Sequence, residues 1–262
     1  MRDTARWPSS DAELVGAQHT VAREAEAALR VDPWLPPDRP VFGGCFVAFA
    51  RGEAGPGQPG DRAWAAAVTW RAGTREDRGR RVDGHLRGMR PDGQPRRADD
   101  VLAQAVASER VPAAYEPGLL ALREGRVLAT AVARLSRPPE VLLVGATGVD
   151  HPRRAGLALH LGAVVGVATV GVTQRPLVAS GALPVPHRGA RAPIVIGDRR
   201  VGFWVCTRTG ARPVVAHAGW RTTAETAAEV VLEASTEAAR TPVPLQEARR
   251  VAREARALAG AG

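Results

Sequence analysis

Two short polar segments that could take part in ligand chemistry follow apolar runs near the middle of the sequence. The glycine-bearing segment 145–148 comes directly after the apolar run Val141–Val144. Thr173, Gln174 and Arg175 follow the β-branched run 167–172. Runs of this length are typical of buried parallel strands, and ligands of parallel sheets bind at the carboxyl ends of the strands. We therefore expect the chemistry of this chain at these two segments.

The region between the two runs predicts the element that positions them. Leu157, Leu161 and Val164 recur at helical spacing, with His160 beside them. A strand, a crossover helix and a second strand form a parallel pair, so both polar segments should lie at the same edge of one sheet.

Further elements are predicted on both sides of this unit. Strands are expected at 41–49, 63–70, 193–196, 201–208 and 214–217, and helices at 10–29, 118–135, 222–239 and 245–258. Residues 101–110 fit either a strand or a short helix, and Gly125 suggests a turn or kink. Mixed strands enclosed by helices indicate a three-layer α/β domain.

Composition favours a polyanionic partner. The 262 residues include 36 basic residues, all of them Arg, and 27 acidic ones, which gives a net charge of +9. We predict one domain over 1–262, with a polar insertion at 74–100. An arginine arm on nucleic acid is the alternative for that insertion, but its interspersed acids would repel phosphate.

Two further features concern the environment of the protein. Cys45 and Cys206 lack metal-ligand spacing, which suits a reducing, cytoplasmic environment. No apolar run is long enough for a membrane span, so no membrane association is expected.

Two motifs connect the chain to a known family. Residues 148–162, followed by 170–172, resemble the central signature of endonuclease V, and residues 115–124 resemble the second signature of that family. The resemblance extends over about 12–258. It implies a ribonuclease-H-like fold with a central mixed sheet and an ancestral metal-dependent endonuclease activity of DNA repair, specific for deoxyinosine or inosine. Mg²⁺ would be the cofactor, and DNA or RNA the partner.

The same resemblance implies metal-binding carboxylates that are mostly missing from this sequence. The first-strand Asp of the family falls on Phe46, or on Cys45 if the register slips by one, and the central-strand Asp falls on Gly145. A family His falls on Thr147, a Lys on Gln174 and a later His on Trp220.

Three catalytic candidates remain by resemblance, namely Glu124, His151 and Glu225. Glu124 is also the remaining metal ligand, and Asp150 could supply a replacement carboxylate beside His151. Each has a structural alternative. Glu124 could pair with Arg123 or Arg126, and His151 could orient its loop. Glu225 could be the glutamate of a capping box that begins at Thr222.

Recognition positions are better preserved than catalytic ones. The resemblance implies a wedge residue at Tyr115 and a pocket that receives a flipped base. The substrate-binding candidates are Tyr115, Gly118, Leu120, Gly148, Leu157 and Gly171. Glu116 and Ala146 depart from the family pattern. Alternatively, the glycines only serve tight turns.

These observations predict an endonuclease-V-like nucleic-acid-binding protein with impaired or lost catalysis. One alternative is an active nuclease whose metal site is rebuilt around Glu124, Asp150 and Glu225. The other is a metal-independent enzyme or partner-binding scaffold that acts on something other than nucleic acid.

Overall fold

The structure, a computed structural model, describes residues 7–50, 57–71 and 101–260. The strands in these ranges are β1 (Val41–Phe49), β2 (Arg62–Arg71), β3 (Val101–Arg110), β4 (Val141–Val144), β5 (Ala168–Thr173), β6 (Arg191–Ile196), β7 (Arg199–Val205) and β8 (Val214–Ala218). The helices are α1 (Asp11–Val31), α2 (Leu120–Ala133), α3 (Leu157–Val165), α4 (Ala224–Glu233) and α5 (Val243–Ala259). The ambiguous segment 101–110 is therefore a strand.

All eight of these strands form one mixed sheet in the order β3-β2-β1-β4-β5-β8-β7-β6. β1, β4 and β5 run parallel, and the remaining pairs are antiparallel. Val144 pairs with Cys45 on one side and with Gly171 on the other. The carboxyl ends of the three parallel strands consequently lie side by side, as the sequence predicted.

Helices cover both faces of the sheet, which confirms the three-layer prediction. Leu122 of α2 and Leu157 of α3 share a core with Cys45 of β1. On the opposite face, Leu245 of α5 packs with Phe42 of the same strand. Alternate residues of a strand point to opposite faces, so each residue of β1 faces one helical layer or the other.

Helix α4 begins two residues later than predicted and ends earlier, at Glu233. Its N-cap is Thr223, whose hydroxyl accepts the N–H of Thr226 at 3.1 Å. The Thr222 hydroxyl instead bonds across to the sheet, donating to the Thr169 carbonyl at 2.7 Å. The predicted capping box at Thr222 was therefore wrong, because a tertiary hydrogen bond takes the hydroxyl that it required.

Gly125 lies inside the uninterrupted helix α2, so the predicted turn or kink was wrong. A Cβ at this position would overlap the ring of Trp7. That ring stacks on His160 with centroids 4.8 Å apart. Gly125 is therefore suited to a close helix-to-indole contact and not to a change of chain direction.

The remaining predictions concern the insertion, membrane association and the two cysteines. The predicted insertion at 74–100 lies entirely outside the described residues. The strands on either side of it are β2, which ends at Arg71, and β3, which begins at Val101. Within the described ranges, no helix is long and apolar enough to cross a membrane. Cys45 and Cys206 are both buried free thiols.

Candidate active site

A cavity of about 500 Å³ opens at the carboxyl ends of the parallel strands. The segments after β4 and β5 reach it with Gly145 and Gln174, so the cavity lies at the edge of the sheet where the sequence predicts the site. α2 contributes to the cavity on one side, and α5 with the segment before it contributes on the other. Most of the lining is apolar, and its polar members are Glu124, Thr173, Gln174, Arg240, Thr241 and Arg249.

Among the described residues, Glu124 of α2 is the only carboxylate in the lining of this cavity. It forms an ion pair with neither neighbouring arginine. Arg123 pairs with Asp61 at 2.6 Å, and Arg126 pairs with Glu109 at 2.7 Å. The helix-pairing alternative for Glu124 was therefore wrong. Burial raises the pKa of Glu124 to about 7, which the charge of Arg123 only partly counteracts.

The two candidate positions for the missing first-strand carboxylate, Cys45 and Phe46, lie on opposite faces of β1. Cys45 packs in the same core as α2, and burial together with the nearby Glu124 raises the pKa of its thiol. The Phe46 ring packs instead with the α5 layer, and the guanidinium of Arg249 lies 5.0 Å from its centroid. Of the two registers, the one that places the family carboxylate at Cys45 is thus the one that faces Glu124.

Gly145 leaves empty space where the central-strand carboxylate would stand. A Cβ built on Gly145 would meet no atom within 4 Å. Mg²⁺ takes about six oxygen ligands and is usually held by more than one carboxylate or phosphate. Among the described residues, no three His, Cys, Asp or Glu side chains come together as possible metal ligands. This donor set does not fit Mg²⁺.

A smaller cavity of about 180 Å³ adjoins the first one and contains most of the predicted recognition residues. Tyr115, Gly118, Leu120 and Leu157 line it, together with Ala146. The Tyr115 side chain is 47% exposed, and it lines both cavities. The sequence-predicted recognition residues therefore converge on one place, next to the larger cavity.

Two of the predicted recognition glycines do not line either cavity. A Cβ on Gly148 would overlap the carbonyl oxygen of Ala218, and one on Gly171 would overlap that of Ala146. Close backbone approach accounts for both glycines without any ligand. A substrate-binding role for Gly148 and Gly171 stays a prediction.

His151 holds the loop that carries Gly118. Its Nδ1 accepts the N–H of Arg153 at 3.2 Å, so its Nε2 carries the proton and donates to the Gly118 carbonyl at 3.1 Å. Gly118 has a φ of +83°, in the left-handed region that favours glycine. Burial lowers the pKa of His151 to about 4, so its ring is neutral at physiological pH. This geometry matches the predicted loop-orienting alternative for His151.

Gln18 and Arg153 complete the support of this loop. Arg153 donates from Nη2 to the Gly118 carbonyl at 2.8 Å and from Nε to Gln18 Oε1 at 2.5 Å. Gln18 in turn donates to the Ala155 carbonyl at 3.0 Å. Sequence reasoning missed Gln18, although its position in the apolar stripe between Leu14 and Val21 was a signal.

Asp150 is fully buried and does not line either cavity. Its carboxylate accepts the backbone N–H groups of Leu177 at 2.8 Å, Val178 at 2.9 Å and Ala179 at 2.8 Å. These contacts fix the loop after β5. They leave Asp150 oriented away from the position where a replacement metal ligand would be needed.

Thr173, His217 and Asp150 form a chain of polar contacts beneath this loop. Thr173 Oγ1 lies 2.7 Å from His217 Nε2, and His217 Nδ1 lies 3.4 Å from Asp150 Oδ2. The order is that of a hydrolase triad. However, His217 is fully buried, with a pKa lowered to about 4 by burial, and it does not line either cavity. A leaving group could not reach it, so we assign these residues a structural role.

Glu225 lies away from both cavities. It lies in the first turn of α4, forms an ion pair with Arg200 and lines a separate cavity of about 170 Å³. The three catalytic candidates therefore occupy three places, with Glu124 in the larger cavity and His151 beside the smaller one. The structure does not bring Glu124, Asp150 and Glu225 together.

The fold and the site define a class of protein. A mixed sheet with parallel central strands, helices on both faces and a cavity at the strand ends is the ribonuclease-H-like arrangement of nucleic-acid-processing proteins. Within that class, the family model described as Endonuclease V matches residues 96–250. The chain belongs to the endonuclease V family.

Individual relatives agree with this assignment. The endonuclease V of Xanthomonas axonopodis pv. citri is 34% identical over 174 residues, which are 63% of this chain and 73% of the relative. The crystal structure of endonuclease V from Streptomyces avermitilis superposes with a TM-score of 0.74 at 30% identity, covering 98% of this chain and 97% of that one.

A more distant neighbour shows the same fold with a ligand. Ciona intestinalis endonuclease V, solved in complex with a 24mer DNA containing an inosine followed by a ribo-adenosine, has a TM-score of 0.65 at 17% identity. It covers 93% of this chain and 95% of that one.

Proposed function

We propose that this chain is a nucleic-acid-binding member of the endonuclease V family that engages inosine-containing DNA or RNA but has lost most or all Mg²⁺-dependent cleavage. The observation that carries this proposal is the single carboxylate of the larger cavity. Phosphodiester hydrolysis by a metal ion needs ligands that fix the ion against the phosphate. Glu124 is a single carboxylate, and the cavity-lining positions Cys45 and Gly145 supply no second one, so the ligands are too few to fix the ion.

The recognition side supports the binding half of the proposal. Tyr115 lies at the junction of the two cavities, where an exposed aromatic ring can stack against a base. The Gly118 loop beside it is held by three side-chain hydrogen bonds, from His151, Arg153 and Gln18. In this proposal the smaller cavity receives the flipped base, as it does by resemblance in the family, and the net charge of +9 attracts the backbone.

A rebuilt metal site is less well supported. Asp150 uses its carboxylate to bind backbone N–H groups, and Glu225 pairs with Arg200 at a separate cavity. Both would have to leave existing partners before they could approach Glu124.

One experiment separates binding from cleavage. Purified protein is mixed with labelled oligonucleotides that differ only in one inosine, with Mg²⁺, with Mn²⁺ or with EDTA. We expect retention of the inosine oligonucleotide in a gel shift and no nicking on a denaturing gel. Efficient nicking that disappears in Glu124→Gln would identify an active nuclease. The absence of any inosine-dependent binding would favour the partner-binding alternative instead.

A further inference from the structure

Two arginines face the larger cavity from the side opposite Glu124. Arg249 belongs to α5, and Arg240 lies in the segment between α4 and α5. Among the residues that the structure describes, neither forms an ion pair with a carboxylate. The cavity lining thus holds two unpaired guanidinium groups and one carboxylate.

Arg240 is held in place with unused donor capacity. Its Nη2 donates to the Pro213 carbonyl at 3.0 Å, and its own carbonyl accepts the Thr207 hydroxyl at 2.7 Å. Its Nε is enclosed and has no hydrogen-bond partner. That atom is too enclosed to meet a ligand, so the donors available to a phosphate are the other guanidinium N–H groups of this cavity-lining residue. Burial and the nearby Arg212 both lower the pKa of Arg240, and a bound anion would counteract both effects.

Arg249 is oriented by an aromatic ring. Its guanidinium carbon lies 5.0 Å from the centroid of Phe46, at the position next to Cys45 on β1. Contact with a ring face restrains the guanidinium while leaving its N–H groups available. Planar guanidinium donors match phosphate oxygens, and a charge-assisted pair of this kind needs no bridging metal.

We propose that Arg240 and Arg249 bind a phosphate group directly in the larger cavity, without a divalent ion. The identification of that phosphate as part of a nucleic-acid backbone rests on the proposed function. The arginines approach from the α5 face, whereas Glu124 lies on the α2 face, so the cationic and acidic groups of the cavity are separated across the strand ends.

The test compares the wild type with Arg249→Gln, the double variant Arg240→Gln/Arg249→Gln and the control Arg253→Gln. Arg253 lies one turn further along α5, is exposed and does not line the cavity. Affinity for an inosine oligonucleotide is measured in EDTA at several salt concentrations. We expect EDTA to leave wild-type binding unchanged. The double variant should lose about tenfold or more in affinity, and its salt slope should fall by about one, because the two arginines neutralise one phosphate.

Arg249→Gln keeps the test informative if the double variant fails to melt cooperatively, because this side chain is exposed and its substitution should leave the core intact. We expect it to lower the salt slope by less than the double variant does. Binding that requires Mg²⁺, or an equal loss in Arg253→Gln, would overturn the proposed phosphate site.

A second measurement does not depend on nucleic acid. Inorganic phosphate should raise the Tm of the wild type and of Arg253→Gln, and should have a smaller effect on Arg249→Gln. If this difference is found but no oligonucleotide binds, the phosphate site stands and the proposed function fails. If oligonucleotides bind while all proteins respond to phosphate equally, the proposed function stands and the phosphate site is wrong.

Discussion

The two adjoining cavities differ in how their polar groups are satisfied, although they share lining residues such as Tyr115 and Leu157. Beside the smaller cavity, the Gly118 carbonyl accepts hydrogen bonds from three side chains. In the larger cavity, Glu124 has a raised pKa, and within the described ranges it lacks an ion-pair partner and the Arg240 Nε lacks an acceptor.

This difference shows that a recognition pocket and a metal site depend on different features. The smaller cavity is shaped by the backbone. Buried hydrogen bonds hold that backbone in place, and they do not depend on which side chains are exposed. A metal site depends on side-chain identity at a few positions, because the protein's share of the ligands comes from one or two carboxylates, with water and phosphate oxygens supplying the rest. Replacement at Cys45 and Gly145 can therefore remove the metal site while the sheet beneath it stays intact.

The largest expected effect comes from rebuilding the metal site. Cys45→Asp would place a carboxylate on the face of β1 that packs with α2, and Gly145→Asp would add a second in the open space at the end of β4. Gln174→Lys would add a cation to the same cavity lining. We expect the triple variant to bind Mg²⁺ and to nick inosine-containing DNA above the background of the wild type. Isothermal titration with Mg²⁺ and a nicking assay measure the two results.

The matched control replaces Phe46 with Asp in place of Cys45. Both residues line the larger cavity, but Cys45 packs with the α2 layer and Phe46 with the α5 layer, so we expect the Phe46 variant to bind Mg²⁺ more weakly. Equal activity in both triple variants would contradict the assignment of faces in β1.

The loop after β5 should depend strongly on Asp150. Asp150→Ala would leave three backbone N–H groups without their acceptor, and we expect a loss of about 4 kcal/mol in the free energy of unfolding. Asp150→Asn should lose less, since one acceptor oxygen remains. Urea unfolding measures both, with the exposed turn residue Asp198→Ala as control. A loss below about 1 kcal/mol in Asp150→Ala would be inconsistent with this network.

The support of the Gly118 loop can be weakened from α1. Gln18→Leu removes the acceptor of Arg153 Nε and the donor to the Ala155 carbonyl, so we expect a loss of about 2 kcal/mol in the free energy of unfolding. Affinity for an inosine oligonucleotide should fall as well, because Gly118 loses part of its support. His19→Leu, the exposed neighbour on the same helix, should change neither quantity by much. If Gln18→Leu destabilises the fold without affecting binding, the Gly118 loop is not part of the recognition surface.

An effect no larger than that of Gln18→Leu is a pH dependence at Glu124. Its pKa is raised from 4.5 to about 7 in the folded protein, so folding favours the protonated form. The contribution of Glu124 to stability is fully present below pH 4.5 and is lost as the pH rises through about 7. Glu124→Gln lacks this loss. We expect the difference in the free energy of unfolding between variant and wild type to grow by about 2 kcal/mol from pH 4 to pH 8. This is less than the pKa change alone would give, because cavity water screens the charge of Glu124.

Urea unfolding at several pH values measures this difference. The comparison of variant with wild type also cancels the opposite trend from buried His151 and His160, whose lowered pKa values make the protein less stable as the pH falls from 6.5 towards 4. A difference that does not change with pH would mean that Glu124 is already solvated.

The sequence by itself determined the order of the central elements and the edge of the sheet where the site lies. β4, α3 and β5 follow directly from two short apolar runs and a helical pattern, because these patterns are local and have one favourable way to be buried. The motifs at 115–124 and 148–162 likewise indicated the family, and the match of its model to 96–250 confirmed it.

Only the tertiary structure decided which side chains meet. Strand register determines that the Cys45 side chain lies on the Glu124 side of β1. A slip of one residue would place Phe46 there instead. The burial of Asp150 depends on a loop that folds back from β5, and the hydroxyl of Thr222 is taken by Thr169 on the sheet. Arg240 and Arg249 approach the cavity from elements more than a hundred residues along the chain from Glu124. Such contacts join distant segments, so their residue types carry no local pattern from which they could be predicted.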